Sequence, residues 1–357
     1  MKAMHPLCIP LLQLICLSAP LQAATFTWSG GVPSSPSANF SEPANWSGNL
    51  MPAAGKSTRL VFGAVSGSSR VNPNQNLGSN FILNEFSITA AAPAFQFNGQ
   101  SLLLAATGEG ALPSIVSDSP QSQYFNLPLG FNTVTQMRGT GTGELRFAAP
   151  WQNSGRVEIL HRNVRLDADS SSYEGTITLG TAATPVAPGA GSTLRLGHER
   201  ALGTGRFDVF PYHTIHNAAG VPLTFGNTVY FERYQNGTSG PVTFSGAQAM
   251  TFSGHTVVSD GNALHVSNPQ LRLTGSYLFG AGVAKSGTGD LVLAGKAALP
   301  GTPTTLTVLD GRVILASWDA VNERQAIFLN GYTELATNAV GGSFTVLGLC
   351  AARQAAE

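Results

Sequence analysis

The side chains best placed for chemistry are the carboxylates of Asp167-Ala168-Asp169, with Glu174 close behind. Two carboxylates at i and i+2 of an extended strand point to one face. A glycosidase pair or a calcium site uses that arrangement. However, Asp169 runs into Ser170-Ser171-Ser172-Tyr173, a turn-like run that takes it off the strand. The plainer reading is a solvated edge closed by an Asx turn. His213-Thr214-Ile215-His216 beside Tyr212 is the one close histidine pair. At i and i+3 the rings of an extended strand face opposite sides, and Asp208 and Glu232 are not at ligand spacing. Two polar rings on the surface account for the pair, and neither a metal nor a cofactor is expected.

Other candidates are weaker. Gly139-Thr140-Gly141-Thr142-Gly143 lacks the helix and the Lys-Ser/Thr pair of a phosphate loop, so it reads as turns. There is no Gly-x-Ser-x-Gly elbow, and Cys350 has no histidine near it in sequence. Tyr212, Tyr230, Phe231, Tyr234 and Trp318 could stack on sugar rings or on one another in a core.

The elements that carry these residues are short strands. Val164-Arg165-Leu166, Thr193-Leu194-Arg195-Leu196, Val242-Thr243-Phe244 and Leu271-Arg272-Leu273 alternate apolar with polar, and Gly, Asn-Gly and Asp-Gly punctuate them. Runs of helical spacing are missing from this pattern. Successive strands lie about 7 to 20 residues apart, as the sides of coils of roughly 20 to 25 residues would, with loops of variable length between them. The pattern predicts an all-β chain whose short strands fit the faces of a parallel coil, a β-solenoid. An antiparallel sandwich or barrel is the alternative, because alternation does not fix strand direction.

Composition agrees. Gly occupies 41 of 357 positions, charged residues make up 11%, and 19 basic side chains balance 19 acidic ones. Soluble domains average roughly 25% charged, so Ser, Thr, Asn and Gln must supply much of the polar surface. Zero formal charge gives no reason to expect nucleic acid as a partner. Lys2 and His5 ahead of the apolar run Leu7 to Leu21, ending near Ala23 and Ala24, read as a secretory signal over residues 1–24. Its removal leaves no spanning segment. It also leaves Cys350 as the single cysteine, which excludes an internal disulfide. Trp28 and Trp46 fall in a Gly/Ser/Pro-rich stretch, residues 25–62, that reads as a cap on the first coil, with an aromatic pair for a sugar ring as the alternative. Repeats then fill 63–349, clearest at 282–315, and 350–357 form a short tail.

The run Ala284-Lys-Ser-Gly-Thr-Gly-Asp-Leu-Val-Leu-Ala-Gly295, followed by Thr304-Thr-Leu-Thr-Val308 and Gly311-Arg-Val-Ile-Leu315, resembles an autotransporter-associated β-strand repeat. Thr193 to Gly205, with its Ala-Leu-Gly-Thr-Gly ending, is similar to an element common in the same proteins. Thr27-Trp28-Ser-Gly-Gly31 and Ala44-Asn-Trp-Ser-Gly-Asn-Leu-Met-Pro52 resemble their N-terminal segments. The resemblance implies a right-handed parallel β-helix, exported by a Gram-negative-type bacterium to the cell surface or secreted. It also implies a β-barrel translocator after the passenger, and no such pattern precedes Glu357. The functional expectation is a structural or adhesive surface protein without catalysis, meeting surface glycans or components of host or neighbouring cells. A polysaccharide lyase or hydrolase using Asp167, Asp169 and Glu174 is one alternative, and a glycan-binding module is the other.

Overall fold

The computed structural model describes residues 24–30, 37–65, 70–108, 110–298, 303–320, 325–329 and 334–337. The expected signal peptide up to Ala23, the tail 350–357 and Cys350 lie outside them. Within these bounds the chain is a parallel β-helix.

Four sheets form its three faces. The first has eleven strands, from Thr25–Trp28 to Tyr277–Phe279. The second has twelve, from Asn74–Gln75 to Gln325–Leu329. The third face holds four strands from Phe81–Leu83 to Trp151–Gln152, then a break, then six from Leu223–Phe225 to Glu334–Thr337. A representative coil passes through Thr135–Arg138, Leu145–Phe147 and Trp151–Gln152 before returning to the first sheet at Val157–Ile159. Coil length follows from the register. Ile159 pairs with Leu179, 20 residues on, and Leu179 with Val209, 30 residues on, so some coils exceed the expected 25.

Every strand pairing among the described residues is parallel. The one antiparallel contact is the isolated bridge between Trp28 and Trp46, so the sandwich and barrel alternatives fall. Parallel sheets covered on both faces read as unbroken apolar runs. Here one face of each sheet meets the core and the other meets solvent, which is why the alternation survives. Leu145, Val164, Leu194 and Ile215 point inward on successive coils, each fully buried.

The aromatic spine shows the same geometry. Phe97, Phe125 and Phe147 occupy one register position on three coils, with ring centroids 4.9 and 4.8 Å apart. That matches the ~4.7–4.9 Å spacing of paired strands, so in-register rings are carried into contact by the ladder itself. At the N-terminal edge Trp28 and Trp46 pack edge to face at 5.1 Å, over Phe40 and Phe62. Their indole N–H groups donate to the carbonyls of Arg70 and Phe40.

The stretch 282–315 holds four strands, Val283–Ser286, Asp290–Leu293, Thr304–Val308 and Arg312–Leu315, and Lys285 lies within the first. Among the described residues the strands of the first sheet end at Tyr277–Phe279, and the later strands alternate between the other two faces.

Candidate functional site

The two aspartates part company, and Asp169 takes the Asx turn expected from the serine run after it. The strand Asn163–Leu166 ends before Asp167. Asp167 turns back over the outer face of the second sheet, where it accepts from Arg146 Nε at 2.5 Å and from Arg165 Nε at 2.7 Å. Asp169 closes an Asx turn, accepting the Ser171 N–H at 2.9 Å, and stands 3.6 Å from Arg200. The Ser171 N–H holds its carboxyl below the usual range, helped by the Ser171 hydroxyl. Glu174 is exposed, and its N–H donates to the Asn153 carbonyl. Arginines and backbone partner the carboxylates of Asp167 and Asp169. Among the described residues no group of three His, Cys, Asp or Glu could hold a metal ion.

What the register does assemble is a cationic row. Arg146 pairs with Arg165, Arg165 with Arg195, and Arg195 with His216, all outward on consecutive coils. Tyr124 precedes them, its ring 5.9 Å from the Arg146 guanidinium carbon. Asp167 and Glu144 are the acidic neighbours, Glu144 at 3.6 Å from Arg195. Partial burial lowers the His216 pKa, and the charges of Arg195 and Arg165 lower it further. Sequence reading missed this row because its members lie 19 to 30 residues apart (146, 165, 195). The signal was the shared frame Leu-Arg-Phe, Val-Arg-Leu and Leu-Arg-Leu, in which the middle residue must face out.

A second feature lies at the break in the third face. There the segments 167–176 and 197–206 replace strands, and a groove of about 470 Å³ runs beside them. Ser171, Glu199, Arg200, Thr204, Thr224 and Ser253 line it, a hydroxyl-rich surface with one carboxylate and one guanidinium.

The histidine pair needs correction. His216 is outward on the strand Thr214–Asn217, with Nδ1 3.0 Å from the Ser245 hydroxyl. His213 precedes that strand and is only 1% exposed, so it is a buried corner residue and not a surface ring. Two of the aromatics take the core alternative. Phe231 and Tyr234 are buried, and Tyr234 stacks on Phe210. Tyr230 faces out beneath the Arg206 guanidinium at 3.8 Å. Tyr212 donates to the Ser239 carbonyl, and Trp318 lies in the 3-10 turn Trp318–Ala320.

The glycine run 139–143 is held against the preceding coil. Gly141 and Gly143 N–H donate to the carbonyls of Ser117 and Ser119, and the Asp118 carboxylate takes the Thr140 N–H at 2.7 Å. These N–H groups are spent on the chain itself. A Cβ at Gly139 would stand 2.1 Å from the Ser117 carbonyl oxygen, which accounts for glycine there. No family model matches this chain, and neither a curated protein nor a solved structure does.

Proposed function

We propose that the chain is an exported bacterial β-solenoid with a structural or adhesive role, built like an autotransporter passenger and acting without catalysis of its own. The observation that supports it most is the twelve-strand second sheet, whose outward rows present the same register position on coil after coil. Such a surface suits an extended partner lying along the axis. The partners of Asp167 and Asp169 favour the same reading, because ion pairs and an Asx turn already occupy the carboxylates a lyase or hydrolase would use.

A second reading draws on the row of Arg146, Arg165 and Arg195. Guanidinium groups repeated at the ~4.8 Å coil spacing suit carboxylate recognition by paired hydrogen bonds. Acidic glycans of a cell surface are then the partner. The test is incubation of purified 25–357 with a panel of soluble polysaccharides, with polymer size followed by chromatography. Unchanged size across pH and added calcium fits the scaffold, and co-elution with an acidic polymer fits glycan binding. Depolymerisation that disappears in Asp167→Asn/Asp169→Asn would replace both with a hydrolase or lyase.

A further inference from the structure

Between the first and second sheets the corner is short on most neighbouring coils, residues 160–162 on one and 210–213 on another. On the coil between them it spans 180–192. The enlarged corner is pinned. Gln235 N–H donates to the Ala182 carbonyl at 3.1 Å, and Val186 N–H to the Tyr234 hydroxyl at 3.3 Å. That hydroxyl donates in turn to the Pro211 carbonyl at 3.0 Å. Beneath the loop lies a cavity of about 250 Å³, lined by Leu160, Thr181, Thr184, Val186, Ala190 and His213, among others. Thr184 and Ala190 are exposed and mark its mouth, whereas His213 forms its buried end.

His213 has one ring nitrogen engaged. Its Nδ1 accepts the Ser192 N–H at 2.8 Å. A nitrogen that accepts carries no proton, so the neutral ring holds its proton on Nε2. Nε2 is buried and finds no acceptor among the described residues. It faces Gly180, another lining residue, where a Cβ would stand 2.5 Å from it. Buried donors in folded proteins are partnered as a rule, and an exception calls for an explanation. Burial also drives the ring's pKa down to about 4, so at neutral pH it is an uncharged donor.

We propose that this cavity binds a small neutral molecule with an apolar body and one acceptor oxygen, which takes the Nε2–H of His213. No charged side chain lines the cavity, so a buried anion would lack a counter-charge. The apolar lining of Leu160, Val186 and Ala190 suits a hydrocarbon body, and the volume limits it to a short chain or a single ring. A carbonyl compound is the simplest such ligand. This site is independent of the scaffold reading and of the arginine row.

The test uses the full mature chain with 15N-labelled histidine and two probes of similar shape, cyclohexanone and methylcyclohexane. Without probe, His213 should show the Nε2–H tautomer at pH 7. Cyclohexanone should move its Nε2 and Hε2 resonances saturably and raise the Tm, as any ligand of the folded state does. Methylcyclohexane should leave Nε2 in place. His213→Phe removes the donor and should abolish the Tm shift. Should that variant fail to fold, Thr181→Trp crowds the cavity with His213 intact and should abolish the resonance shift. The proposal is overturned by equal shifts with both probes, by no saturable shift, or by a shift that survives in Thr181→Trp. A water cross-peak at Hε2 that persists in saturating cyclohexanone also overturns it, since a bound water would then be the partner.

Discussion

The ammonium of Lys285 donates to the main-chain carbonyl of Asp310 at 2.7 Å, from a fully buried position inside the coil. It also donates to the Gly287 carbonyl. Lys285 stands in register with the core residues Leu264 and Val308, so a lysine occupies an apolar position and ties two turns together. Gly311 lies against it with φ +68°, and a Cβ there would stand 2.3 Å from the Lys285 nitrogen.

Lys285→Met should therefore destabilise the coil. It strands two carbonyls, at a cost of about 1–3 kcal/mol for a buried polar group left unpaired. Burial lowers the lysine pKa to about 8, against an ordinary 10.5. The unfolded chain then binds more protons between these values, so stability rises with pH through that window. Urea midpoints at pH 8 and pH 9.5 should show the rise in the parent and a smaller one in Lys285→Met. Above pH 10 buried Tyr173 and Tyr277, whose phenols burial pushes up, act in the opposite direction.

Acid should weaken the fold through its buried histidines. Burial lowers the pKa of His213 to about 4 and also lowers that of His161. Between about pH 6.5 and 4.5 the unfolded chain takes up protons that the folded chain refuses, so stability falls as pH falls. One proton corresponds to a slope of at most about 1.4 kcal/mol per pH unit. His213→Asn keeps an acceptor for the Ser192 N–H and should flatten the slope. An unchanged slope would mean that His213 titrates freely.

Trp46→Ala should lower the unfolding midpoint. Trp46 touches Phe26, Trp28, Phe40 and Phe62 and is 1% exposed, so truncation opens a large void at the edge of the first sheet. Loss of a buried tryptophan costs about 3–5 kcal/mol. In a stacked coil that loss falls on the terminal units. Amide exchange should therefore speed up over Thr25–Phe62 first, while Leu264–Leu315 stays protected. An unaltered midpoint would remove the case for a cap.

The fold was largely legible, because period-two alternation in triplets such as Leu194-Arg195-Leu196 marks one wet and one dry face. Strand direction was not, since Leu194 over Ile215 looks the same in sequence whichever way the partner runs. The candidate site was read less well. The Asx turn at Asp169 is legible in the serine run that follows it, whereas the arginine partners of Asp167 are not, because Arg146 comes from the preceding coil. The arginine row escaped because its spacing is set by coil length, which loops such as 180–192 change at will. Lys285 escaped for another reason: a charged residue in a Gly-rich run reads as a turn, and its two carbonyl partners are distant or turn-bound groups that only the folded coil brings together.

The arginine row makes a prediction of its own under the glycan reading. Arg165 shares Asp167 with Arg146 at 2.7 and 2.5 Å, whereas Arg195 stands 3.6 Å from Glu144 and makes a 3.4 Å contact to Asn163, so among these three Arg195 is the most loosely held. Arg195→Gln should weaken binding to polygalacturonate about two- to fivefold, the ~1 kcal/mol or less that an exposed ion pair supplies. Raising salt should weaken the parent more than the variant, because exposed charges are screened. His216 adds a pH dependence. Burial, then the charges of Arg195 and Arg165, lower its pKa from the ordinary 6.5, so the ring gains its charge only on the acid side of that value and then extends the row by one. Affinity should therefore rise below pH 6.5 for as long as the polymer's carboxylates, with pKa values near ~4, remain ionised. His216→Gln should remove that rise. Binding that ignores salt, pH and Arg195→Gln alike would place the partner on another face of the coil.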